Sequence, residues 1–114
     1  MTDYDAYDEE GNAAREEAHA RETERERLLM QESTSFIMSD ERGRRFMWWL
    51  LGRCHVYATS FTGNSATFFK EGERNIGLMV LDRVMTECPD LYPEMHKEAM
   101  LEQARREAEE GKRK

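Results

Sequence analysis

Apolar positions are distributed unevenly along this chain. Over residues 13–31 nearly every residue is a strong helix former and opposite charges recur at helical spacing, as in Glu17 with Arg21, so a charged helix is predicted there. Glu22 and Glu26 form a repulsive pair at the same spacing, and only Leu28, Leu29 and Met30 supply an apolar end. Such a helix is expected to be solvated or to lie on a partner. The next stretch has the opposite character. Ser39 stands where it can cap a helix whose first turn holds Asp40 and Glu41. Phe46, Trp49, Leu50 and Cys54 then follow at helical steps, and Met47, Trp48 and Leu51 widen the apolar face until it wraps most of the helix. Gly43 and Gly52 each cost about 1 kcal/mol relative to alanine in a helix, which close approach of another backbone or a kink offsets.

Residues 59–65 are a turn by composition, and Asn64 or Ser65 is placed to cap a second long helix ending near Glu87. Its apolar residues are Phe68, Phe69, Ile76, Met79, Val80, Val84 and Cys88. Pro89 stops it, and Pro93 falls in the first turn of a last helix running to about Glu110, with Met95, Ala99, Met100 and Leu101 as its apolar side. Gly111 and the cations Lys112, Arg113 and Lys114 close that helix. No alternating strand pattern of useful length occurs. The fold expected is all-α, a central helical hairpin with charged N- and C-terminal helices. Residues 1–12 form an acidic tail, disordered or ordered by a partner, and 13–38 a charged helix and linker. Residues 39–92 form the hairpin core, and 93–114 the charged C-terminal helix. Phe46, Trp49, Leu50, Phe69, Gly72, Ile76, Gly77, Val80 and Val84 are its predicted core.

Composition sharpens this picture. Of 114 residues 39% are hydrophobic and 36% charged, and the mean hydropathy is −0.90, a thin apolar supply for one domain. The net charge of −7 belongs entirely to residues 1–32, which hold 11 acids and 4 bases. That argues against the N-terminus as a DNA-binding arm and suits a basic partner. No run approaches the roughly 20 apolar residues of a membrane-spanning helix. The acidic start, Met1 to Asp5, lacks the basic and apolar stretches of a secretory signal, so residence in the cytosol or in a particle assembled there is expected. Cys54 and Cys88 are then reduced thiols in packed helices. The hairpin region still carries Phe46, Trp48, Trp49, Phe61, Phe68 and Phe69, more aromatic surface than two helices cover. Oligomerisation or docking onto a larger assembly is the expectation.

Catalytic constellations are not apparent. Cys54 and His55 are adjacent and diverge by about 100° on a helix, which favours packing over nucleophilic catalysis. His19, His55 and His96 lack the i, i+4 spacing of a helical metal site, so no metal or cofactor is expected. Gly72 and Gly77 resemble half of a phosphate loop, but Leu78 and Met79 follow where Lys-Ser/Thr is needed. Close helix packing at these glycines is the favoured reading, with Arg74 and Asn75 left to contact a neighbouring subunit. Arg42, Arg44 and Arg45 beside Trp48 and Trp49 make nucleic-acid contact possible. Asp40 and Glu41 stand next to them, so intrahelical pairing is favoured.

Four motifs occur in order: Gly43-Arg44-Arg45-Phe46, Ser60-Phe61-Thr62-Gly63-Asn64-Ser65, Phe69 through Gly77, and Pro89-Asp90-Leu91-Tyr92. Together they resemble the Bbp19-like family of small tailed-bacteriophage proteins, over about residues 40–98. The resemblance implies a phage origin and a place among virion-assembly genes, and it carries over no catalytic residue. The expectation is a non-enzymatic virion protein in several copies, near the portal and head-to-tail vertex or inside the head for ejection. It would reside in the virion, and in the host cytoplasm during assembly. Its partners would be the portal or adjacent ring or core proteins and further copies of itself, met through Arg44, Arg45, Trp48, Phe61, Asn64, Arg74 and Asn75. A DNA-packaging or DNA-binding accessory factor and an inhibitor of a host factor are the alternatives.

Overall fold

The computed structural model describes residues 8–58, 63 and 66–113. Among them the chain is all-α, with helices α1 (Glu9–Met38), α2 (Glu41–Arg53), α3 (Ala66–Glu87) and α4 (Leu91–Arg113) and no strand. Phe61, and Asn64 and Ser65 as caps of α3, lie outside the described residues. Two units are distinguished, residues 1–33 and 34–114. In the first, Asp8 caps α1 by accepting from the Gly11 amide at 2.9 Å, so helix begins inside the stretch read as a tail. Ion pairs one turn apart, Glu17–Arg21 at 3.4 Å and Glu24–Arg27 at 2.9 Å, run along its surface, and Leu28, Leu29 and Met30 stay about half exposed.

The second unit holds the core. Helix α1 ends at Met38, where the Ser39 hydroxyl donates to the Phe36 carbonyl at 2.7 Å. Ser39 thus closes α1, and the cap of α2 is Asp40, whose carboxylate accepts from the Arg42 amide at 2.8 Å. Asp40 has the extended backbone an N-cap needs. The corner is tight enough that a Cβ on Gly43 would overlap the Ile37 carbonyl, so close backbone approach accounts for that glycine. Helix α4 continues through Gly111 to Arg113, three residues past the expected end. Among the described residues nothing lies near a Gly111 Cβ, so none of them forces the chain to turn there.

Helix α2 is central and packs on both α3 and α4. Met38, Met47, Leu51, Val56, Val84, Cys88 and Met95 form the buried core, with Trp48, Cys54, Val80, Leu81, Leu91 and Tyr92 against it. Each of the fully buried side chains, Met38, Leu51, Val84 and Met95, contributes roughly 1.5–3 kcal/mol by leaving water. Several predicted core positions are corrected. Gly77 and Val84 are buried and Leu50 and Val80 half-buried, but Phe46, Trp49, Phe69, Gly72 and Ile76 are exposed. Helix α2 is apolar nearly all round, so periodicity alone does not choose its inward face; Met47 and Leu51, one turn apart, take it. On α3 the choice falls to Gly77. A Cβ there would lie 2.5 Å from both Cys54 Cβ and Val56 Cγ2, so only a residue without one admits the turn that follows α2. Fixing Gly77 and Val84 inward turns Phe69 and Ile76 out.

Candidate functional site

The five predicted contact residues among those described divide between the inside and the outside of the second unit. Arg44 turns inward: its Nε donates to Glu98 Oε1 at 2.6 Å and its Nη1 to the Met38 carbonyl at 2.9 Å. Both side chains are largely buried, so Arg44 ties the end of α1, α2 and α4 together and is corrected from a contact to other chains to an internal clamp. Glu98 Oε2 is buried with no hydrogen-bond partner among the described residues. Trp48 is likewise engaged within the chain. Its ring stacks on Tyr57 at 5.1 Å and meets the edge of His96 at 5.5 Å. The Tyr57 and Tyr92 hydroxyls share a 2.8 Å hydrogen bond, and burial, with that bond second, pushes the Tyr57 phenol well above its ordinary value. Arg45 and Asn75 are exposed and Arg74 is half-buried.

Two outward surfaces emerge. On α2, Arg42, Arg45, Phe46, Trp49 and Arg53 are all exposed and succeed one another at steps of three, one, three and four, which keeps them within about 100° on one face. The Phe46 and Trp49 rings touch at 5.5 Å. Two of the cations are partly answered: Arg42 binds Asp40 at 3.0 Å and Arg45 reaches Glu41 only at 4.0 Å. On α3, Phe68, Phe69, Ile76 and Met79 are 82%, 72%, 57% and 67% exposed. Phe68, Met79, Gly72 and Asn75 lie across the helix from Gly77 and Val84, and Phe69 and Ile76 lie about a quarter-turn round from them, so that the exposed stripe runs along the flank and back of α3. Sequence reasoning singled out most of these residues yet assigned Phe46, Trp49, Phe69 and Ile76 inward. The legible signal was an apolar count too high for a single inward face on either helix.

The turn after α2 brings His55, at φ 61, within 3.1 Å of Glu73 on α3. Cys54 and Cys88 are free thiols. Burial raises the Cys88 thiol, and Asp90 and Glu87 raise it further, which disfavours the nucleophilic thiolate. A cleft of about 820 Å³ between α2 and α4 is lined by both charges, including Glu41, Glu102, Arg45 and Arg105. Its charges pair locally: Arg105 binds Glu102 at 2.8 Å and Glu109 at 2.6 Å, and the Arg105 hydrogen bonds hold the Glu102 carboxyl at about 2. Among the described residues no group of three or more His, Cys, Asp or Glu could hold a metal ion. None of their helices is long and apolar enough to cross a membrane.

Residues 35–97 match the model of a family described as Bbp19-like phage protein. The matched stretch runs from the last turn of α1 through α2 and α3 into α4, and so contains the whole core and both outward surfaces. It stops one residue before Glu98, the partner of Arg44. No curated protein and no solved structure matches the chain.

Proposed function

The chain belongs to the Bbp19-like phage protein family, and from that premise we propose that it is a non-enzymatic virion protein present in several copies. Its place is near the portal and head-to-tail vertex or among the proteins carried inside the head, where portal, ring or core proteins and further copies of the chain are its partners. The observation that carries this reading is the balance of apolar surface. Among the described residues seven buried apolar side chains make up the core of the second unit, whereas Phe36, Phe46, Trp49, Phe68, Phe69, Ile76, Met79 and Leu101 are all more than half exposed. Apolar side chains in contiguous patches mark contact surfaces in soluble proteins, and a particle built from many chains supplies the cover. Mass spectrometry of purified phage particles tests it: the chain is expected at several copies per particle, and its absence from washed particles would sink the assignment.

A second reading, a DNA-packaging or DNA-binding accessory factor, is favoured by one specific feature. Arginines alternating with Phe46 and Trp49 on the outer face of α2 match what a single strand needs, cations for phosphate and rings for stacked bases. Under this reading affinity for single-stranded DNA falls steeply with salt and drops further on replacing Arg42, Arg45 and Arg53 together. Salt-independent or undetectable binding contradicts this second reading.

A further inference from the structure

We infer that the outer face of α3 is a self-pairing seam, joining two copies of this chain with their α3 helices antiparallel. This deepens the multi-copy reading above and rests on it. Phe69, Gly72, Ile76 and Met79 succeed one another at steps of three, four and three, the spacing of a seam between two packed helices. A two-fold axis level with residue 74 places Phe69 of one copy against Met79 of the other and Gly72 against Ile76. Each large side chain then meets a smaller or flexible one, and every layer recurs with the copies exchanged, as an isologous interface requires.

Two further features agree with that register. Gly72 has nothing within 4 Å of where its Cβ would stand, so contacts among the described residues do not explain a glycine in mid-helix, whereas a partner's Ile76 seated over it does. Asn75 is exposed and falls beside its own counterpart across the axis, where two carboxamides can donate to and accept from each other. Glu73 also approaches its counterpart, but it is half-buried and held by His55 at 3.1 Å on its own chain. A parallel pairing would set Gly72 on Gly72 and leave a gap. From the exposures of Phe68, Phe69, Ile76 and Met79, the antiparallel pair removes on the order of 1,000 Å² from water, at the lower end of what a specific interface needs. The pair is therefore expected to dissociate on dilution.

Sedimentation of the full chain with three variants tests the seam. The wild-type chain is expected to pass from one copy to two as concentration rises. Phe69→Lys and Met79→Glu are each expected to weaken pairing at least about tenfold while circular dichroism shows the fold intact, because both residues are exposed. Mixing the two variants is expected to restore pairing, since the antiparallel register sets the introduced ammonium of one copy against the introduced carboxylate of the other. Gly72→Leu is expected to abolish pairing without lowering the melting temperature. A wild-type chain that stays single at millimolar concentration, variants that pair like wild type, or a mixture that is not rescued overturns the seam. The virion reading is judged separately by mass spectrometry of particles, so an unpaired chain found in particles sinks the seam alone.

Discussion

Arg44 was legible in the sequence as a cation beside aromatic residues, but its role was not, because its partner Glu98 stands 54 positions away and no local pattern announces it. The pair is largely buried, so removing one member strands the other. Arg44→Ala or Glu98→Ala is expected to destabilise the chain by about 2–4 kcal/mol in urea unfolding, while replacing both with apolar residues costs less than either single change. The glycines part in the same way. Gly77→Ala pushes a methyl into Cys54 and Val56 and is expected to cost about 1–3 kcal/mol. Gly72→Ala meets nothing among the described residues and is expected to stabilise the isolated helix by about 0.5–1 kcal/mol. Equal effects at the two positions would contradict the packing described for the turn after α2. The sequence allowed close packing at both; which glycine is contacted depends on the backbone path.

At the scale of elements, the helices and their rough ends followed from periodicity, prolines and turn residues, whereas caps and faces depended on single positions. Ser39 and Asp40 are both good caps, and the corner at Gly43 decides between them. Hydrogen bonds from the Arg42 side chain and then its backbone amide pull the Asp40 carboxyl down from its ordinary 3.8 to about 2. The folded chain therefore binds that proton less readily than the unfolded one. The contribution of the cap is full above about pH 4 and is lost as pH falls toward 2. Asp40→Asn keeps a capping oxygen without the titration, so the difference in unfolding midpoint between wild type and this variant is expected to shrink over that interval. A constant difference would contradict the cap. The face of α2 was misread because six apolar residues in succession, Phe46 to Leu51, satisfy any helical phase.

For the whole molecule, a charged and only modestly apolar chain spends much of its apolar supply on the outside. That imbalance was visible in composition. Its location was not, because it required knowing that Met47, Leu51, Gly77 and Val84 face inward. Two outer surfaces result, a basic aromatic one on α2 and an apolar one on α3, both within the stretch that matches the phage family. Replacing Phe46 and Trp49 by Ser and Gln is expected to leave the melting temperature within a few degrees of wild type, since exposed residues contribute little to folding, and to lower incorporation into particles. A collapse of the fold would place those rings in the core after all. An asymmetric reconstruction of the phage particle at side-chain resolution tests the central claim most directly. Several copies are expected, with Phe46, Trp49, Phe69, Ile76 and Met79 covered by neighbouring chains; particles without the chain, or copies whose rings face open solvent, would contradict it.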